Sequence, residues 1–144
     1  MNEQNERIVK LASEWIGTPY RHQGYQKQIG CDCLGLIRGI WHELYGVQPD
    51  EPQPYAMDWA ENSKQERMLD AARSYLGEEI EIEDMHVGCL VLFRWRENAA
   101  IKHAGILSAP HQFIHAYERI GVTRSALVPS WRRRIAAVFT FPKI

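Results

Sequence analysis

The chain has 144 residues, of which 45% are hydrophobic and 24% charged, with 17 basic side chains against 18 acidic ones for a net charge of −1. This is ordinary folded-domain usage, and it excludes a mostly disordered chain. The lack of a basic surplus argues against nucleic acid as a partner, and no apolar run approaches the roughly 18–20 residues of a membrane span. Length predicts one domain over 1–144. The polar, acidic start MNEQNERIVKLASEWIG is unlike a secretory signal, so cytoplasmic synthesis without a signal peptide is expected. Three cysteines are too few and too odd for a disulfide scaffold. They are expected as thiols, and thiol chemistry is the first place to look for function.

The periodicity predicts a first amphipathic helix over about 6–16, with Ile8, Leu11, Ala12 and Trp15 on one face and Gly17-Thr18-Pro19 as its stop. A glycine-bearing polar loop follows over 20–30. A second helix opens near Cys33. Leu34, Ile37, Trp41 and Leu44 recur at helical spacing with Leu36 and Ile40 beside them, which predicts burial, and Gly46 is the expected end. Pro49, Pro52 and Pro54 mark an extended crossover. Ser63-Lys64-Gln65-Glu66 has the form of a capping box for a third helix with Met68, Leu69, Ala72, Tyr75 and Leu76 inward. Residues of about 48–80 thus read as a helical insertion.

Beyond Gly77 the pattern turns to short β-prone runs, Cys89 to Trp95, His103 to Leu107, Gln112 to Tyr117 and Ile135 to Phe141. Helices first and strands later predict an α+β domain with helices packed on an antiparallel sheet.

Three features converge on one chemistry. Cys33, in Gly30-Cys31-Asp32-Cys33-Leu34-Gly35, stands where the second helix begins. There the helix dipole and unpaired amides favour a thiolate and can receive an oxyanion. His103 and His115 fall on successive predicted strands, and a tight hairpin would turn both imidazoles the same way. A nucleophile needs a base within hydrogen-bond reach, and the base needs a third group to fix its tautomer. Cys33, His103 and His115 can fill those roles in that order.

The motifs GTPYRHQG at 17–24, GCDCLGL at 30–36, VGCLVLF at 87–93, HAGI at 103–106 and FIHAY at 113–117, in that order, resemble the NlpC/P60 family of cysteine peptidases. With the tail WRRRIAAVFTF, the chain is similar to its phage-tail or prophage-associated branch. The resemblance implies a papain-like fold, Cys33 as nucleophile, His103 as general base and acid, and His115 as the residue orienting His103. It implies that Tyr20 lines the site near the thiol and helps hold oxyanion or substrate, and that Asp32 helps recognise substrate. Leu34 stands in a substrate-facing position where the family often has serine. Cys89 replaces an acidic residue and reads as a buried structural thiol. The implied reaction is hydrolysis of peptidoglycan stem peptides, commonly between D-glutamate and a diamino acid, with no cofactor. Phage-tail proteins are the implied partners, and a virion the implied location.

Other readings compete. Cys31, Cys33, Cys89 and a histidine could supply four metal ligands, but C-x-C lacks the usual spacing. A Cys31–Cys33 disulfide would close a strained small ring. A catalytically silent tail-assembly or wall-binding module would have no need of Cys33, His103 and His115 together. His22, His42, His86 and His111 read as structural or surface residues, and Arg132-Arg133-Arg134 as a solvated strand entrance. Tyr55 and Trp59 are candidates to flank the cleft.

Overall fold

The computed structural model describes residues 2–47 and 66–144. Pro49, Pro52, Pro54, Tyr55, Trp59 and Ser63 therefore lie outside the described residues. Asn2 caps the first helix, α1 (Glu3–Glu14), by accepting from the Asn5 amide. Ile8, Ala12 and Trp15 are buried from its inner face, and Leu11 is half-buried. A two-residue hairpin, β1 (Tyr25–Gln26) and β2 (Gly30–Cys31), leads into α2 (Cys33–Tyr45). Gly46 ends α2 with φ +79°, a left-handed turn that glycine adopts without steric cost.

The buried row of α2 is Leu36, Ile40 and Leu44, while Leu34, Ile37 and Trp41 are half-buried. The apolar stripe is thus rotated from the face predicted by spacing. Gly39 is one cause: a Cβ there would strike the Trp15 ring, so α1 and α2 meet along a glycine. At the rim of that contact, Trp15 Nε1 donates to Glu43 at 2.7 Å, and Glu43 pairs with Lys27 at 2.8 Å.

The third helix is α3 (Arg67–Leu76), and the capping box expected to start at Ser63 lies outside the described residues. Glu66, at its N-cap, accepts from the Ile101 amide at 2.8 Å and pairs with Arg94 at 2.9 Å. Met68 and Ala72 are buried, with Leu69 and Leu76 packed against the same core.

A single 3-10 turn (Ile82–Asp84) precedes a five-stranded antiparallel sheet of β3 (Leu90–Phe93), β4 (His103–Ala109), β5 (Gln112–Tyr117), β6 (Gly121–Ala126) and β7 (Ile135–Phe139). Its order is β6-β5-β4-β3-β7. Between β6 and β7 lies a helical turn, α4 (Pro129–Arg132). The predicted α+β arrangement holds. Alternation along the strands divides the core in two. Leu90, Leu92, Ala104, Ile106, Ile114 and Ala116 pack with the helices. Cys89, Val91, Phe93, Leu107 and Phe113 form a second cluster on the other face, joined by Trp131. Among the described residues no helix is long and apolar enough to cross a membrane.

Candidate active site

The cavity at issue, of about 590 Å³, forms where the start of α2 meets the start of β4 and the β5–β6 turn. Cys33, Tyr20 and His103 all line it, with Trp95 and Tyr117 at its walls and Glu118 and Arg119 from the turn.

Cys33 is set by its neighbours in sequence. Asp32 is the N-cap of α2 and is buried. Its Oδ1 accepts from the Gly35 amide at 2.8 Å, and its Oδ2 accepts from the Gln23 amide at 2.8 Å. One carboxylate therefore caps the helix and clamps the preceding loop onto it. Gly35 completes the fit, because a Cβ at that position would collide with the Gly24 carbonyl. Leu34 is half-buried in the first turn. Neither Asp32 nor Leu34 is among the side chains lining the cavity.

Tyr20 is held by backbone pairing. Thr18 accepts from the Val122 amide at 2.9 Å, and Pro19 accepts from the Cys31 amide at 3.0 Å. The GTPY segment is thereby stitched between β6 and the strand that precedes the cysteine. Burial, and then the neighbouring Cys33 and Asp32, raise the Tyr20 phenol above its ordinary range, so it stays an O–H donor.

The sulfur of Cys33 sits against the backbone on both sides of His103. The thiol donates to the Lys102 carbonyl at 3.6 Å, and the Ala104 amide is among the groups that pull its pKa down. Burial and the Asp32 charge outweigh that pull and push Cys33 up to about 12. This reverses the expectation of a thiolate favoured by the helix terminus. The dipole acts on a half-buried thiol beside a carboxylate, and the cost of desolvating a thiolate there outweighs it.

His103 is buried, 5% exposed, and His115 is fully enclosed. Gly105 pairs with His115 across β4 and β5, so His103 is the diagonal neighbour of His115. The rings meet with His103 Nε2 2.7 Å from His115 Nδ1. Predicted from spacing alone, this juxtaposition is present. Burial first, then the His115 and Lys102 charges, hold His103 well below its ordinary value. Burial takes His115 down to about 4. Thiol and imidazoles therefore rest uncharged.

Sequence reasoning missed the surroundings of this pair. Trp95 stacks on His103 with centroids 5.3 Å apart, and Trp131 approaches His103 at 5.6 Å and His115 at 5.3 Å. His115 Nε2 lies 2.7 Å from Ser125 Oγ on β6. The tryptophans stood in the sequence as isolated aromatics, and Ser125 in a strand without an alternating signal. Cys31, buried in the helix-side core, and Cys89, in the opposite cluster, lie on different sides of the sheet. Among the described residues no three His, Cys, Asp or Glu side chains converge as a metal set.

Known proteins resemble this chain in sequence and in fold. The chain is 28% identical over 129 residues to the murein DD-endopeptidase MepS/murein LD-carboxypeptidase of Escherichia coli (strain K12), covering 89% of this chain and 58% of that one. It is 25% identical over 138 residues to the gamma-DL-glutamyl hydrolase of Bacillus subtilis (strain 168), covering 95% of this chain and 29% of the relative. The chain thus spans well under two thirds of either relative. Among solved structures, an NLP/P60-family protein similar to a lipoprotein from Staphylococcus aureus subsp. aureus Mu50 has the same fold, with a TM-score of 0.68 at 20% identity over 99% of this chain and 43% of that one. The NlpC/p60 domain of the peptidoglycan hydrolase SagA superposes with a TM-score of 0.64 at 22% identity, over 98% of this chain and 100% of that domain. The NlpC/P60 family model matches residues 17–139, from the Gly17 that opens the Tyr20 loop to the end of β7, and the chain belongs to the NlpC/P60 family.

Proposed function

We propose that the protein is a cysteine endopeptidase that hydrolyses peptidoglycan stem peptides at the bond between a D-glutamyl residue and a diamino acid. The observation that carries this reading is the opening of Cys33, His103 and Tyr20 onto one cavity, with His103 backed by His115. Membership of a family whose relatives include a murein endopeptidase and a gamma-glutamyl hydrolase supports the substrate class.

Because thiol and imidazole both rest neutral, activation is a proton transfer between them. With Nε2 of His103 engaged by His115, Nδ1 is the nitrogen left to take the proton. Cys33 turns its S–H from the Lys102 carbonyl toward Nδ1 as substrate enters, a tightening that catalytic hydrogen bonds often show only with substrate bound. The sulfur attacks the scissile carbonyl carbon, and the proton passes to His103. Amides at the start of α2 and the neutral Tyr20 hydroxyl receive the oxyanion, one such donor being worth about 3–4 kcal/mol of barrier. His103 then protonates the leaving amine, and the C–N bond breaks. A water gives a proton to His103 as its oxygen bonds to the acyl carbon, the C–S bond breaks, and His103 returns that proton to the sulfur of Cys33. In this reading Asp32 serves substrate recognition through the loop it clamps, and Leu34 gives the substrate an apolar contact.

Purified muropeptides incubated with the protein and read by mass test the proposal. Products split after the D-glutamyl residue are expected. In Cys33→Ala, kcat/KM should fall at least about 1,000-fold with the melting temperature little changed. Intact muropeptides, or full turnover by that variant, would reject the reading.

We further propose that the protein acts as part of a phage or prophage tail, supported by the likeness of its WRRRIAAVFTF run to phage-associated members. Sedimentation with tail particles is expected, and its absence from purified particles would overturn the placement.

A further inference from the structure

Resting on the peptidase reading above, we infer that Ser125 is a positioning residue that sets the tautomer of His115 and, through it, of His103. Three side chains stand in a line along which donors and acceptors must match. His103 Nε2 and His115 Nδ1 are 2.7 Å apart, and His115 Nε2 and Ser125 Oγ are 2.7 Å apart. Each short contact needs one hydrogen, and a neutral imidazole carries only one.

Two arrangements satisfy the line. In the first, His103 holds its proton on Nε2 and donates to His115 Nδ1, and His115 donates from Nε2 to the Ser125 oxygen. His103 then presents a bare Nδ1 to the thiol and can act as a base. In the second, every hydrogen runs the other way. Ser125 donates to His115, His115 donates to His103, and the proton of His103 sits on Nδ1, where it cannot accept from Cys33.

Chemistry decides between them. Once His103 has taken the thiol proton, both its nitrogens are donors, so His115 Nδ1 must accept. The proton of His115 is then confined to Nε2, and it needs an acceptor. His115 is fully enclosed, with Phe113, Tyr117 and Trp131 rings around it at centroid distances of 4.2, 5.4 and 5.3 Å. Among the described residues its side-chain hydrogen-bond partners are His103 and Ser125. A buried N–H without an acceptor is costly, so Ser125 is what lets the chain run in the productive direction.

The reach comes from strand register. Thr123 stands opposite His115, and Ser125 opposite Phe113, so Ser125 is the diagonal neighbour of His115 on β6. Ser125 is half-buried, so its own hydrogen can turn to solvent when its oxygen accepts.

The test has a kinetic arm and a spectroscopic arm. In Ser125→Ala, kcat on muropeptides should fall about 10- to 100-fold with KM within twofold, and Ser125→Thr should recover most of it. Long-range 1H–15N correlation spectra should show both histidines as Nε2–H tautomers in the wild type and the Ser125→Thr variant. Ser125→Ala should move both protons to Nδ1. An unchanged kcat in Ser125→Ala, or His115 remaining Nε2–H in that variant, overturns the inference. If the wild type cleaves no muropeptide, the peptidase reading fails, and the tautomer spectra still decide the role of Ser125.

Discussion

At the scale of single residues, the site is governed by desolvation. Cys33, His103 and His115 each lose water, and each is pushed toward its uncharged form. A consequence can be read in stability. The folded protein holds His115 near pKa 4, against 6.5 when unfolded. Between those values the unfolded chain binds more protons, so stability should be full above pH 6.5 and drop as the pH falls to about 4. The loss from His115 is about 3 kcal/mol, and His103 adds to it with the same sign. Urea unfolding of the wild type at pH 7.5 and pH 4.5, beside His115→Asn, measures this. An equal loss in both proteins would show that His115 is not its source.

The residues named from sequence divide by how local their signal was. Cys33 at a helix start, and His103 and His115 on neighbouring strands, were legible because caps and period-two alternation are local patterns. Asp32 was singled out for the substrate, and its geometry is that of a cap holding the Tyr20 loop. Nothing in the sequence distinguishes those uses, since Gln23 becomes its partner only through folding. Ser125 was illegible for the same reason.

Among the elements, α2 is the one on which the site depends. Its first turn is fixed by the Asp32 cap and by the close seating of Gly35 on the Gly24 carbonyl. Gly35→Ala should therefore cost about 2–4 kcal/mol through overpacking against backbone, which cannot rotate away. Activity should fall with it, because the helix start must lift. Thermal denaturation beside muropeptide turnover tests both. A variant of wild-type stability would mean that the loop moves freely, contrary to its clamp. The predicted strands are present, β5 with the expected ends and β3, β4 and β7 with one or both ends shifted by one or two residues. The strand β6 and the turn α4 were missed. GVTRSA is an edge strand whose half-buried positions are the polar Thr123 and Ser125, so its sequence lacks the apolar alternation that marks a half-buried strand, and α4 is a single turn.

Taken whole, the molecule uses the two faces of one sheet for different tasks. The helix face supplies bulk and seats α2. The opposite face forms an aromatic enclosure, in which Trp131 lies 5.1 Å from Phe113, 5.2 Å from Phe93 and 5.3 Å from His115. Trp131→Ala should cost about 2–4 kcal/mol by opening a cavity. It should also admit water, letting the His103 pKa climb toward its ordinary value. The acid limb of the kcat/KM profile, set well below 6.5 in the wild type, would then move to higher pH. Trp131→Phe should keep most of both. An acid limb that stays in place in Trp131→Ala would show that other rings do the shielding.

Helix spans, strand alternation, the thiol at a helix start and two histidines on adjacent strands follow from the order of residues. They arise from interactions within a few positions of one another. The line from His103 through His115 to Ser125, the aromatic cover of Trp95 and Trp131, and the uncharged resting state of the thiol come from packing. They depend on cross-strand register and on the exclusion of water, which exist only once distant segments have closed on one another.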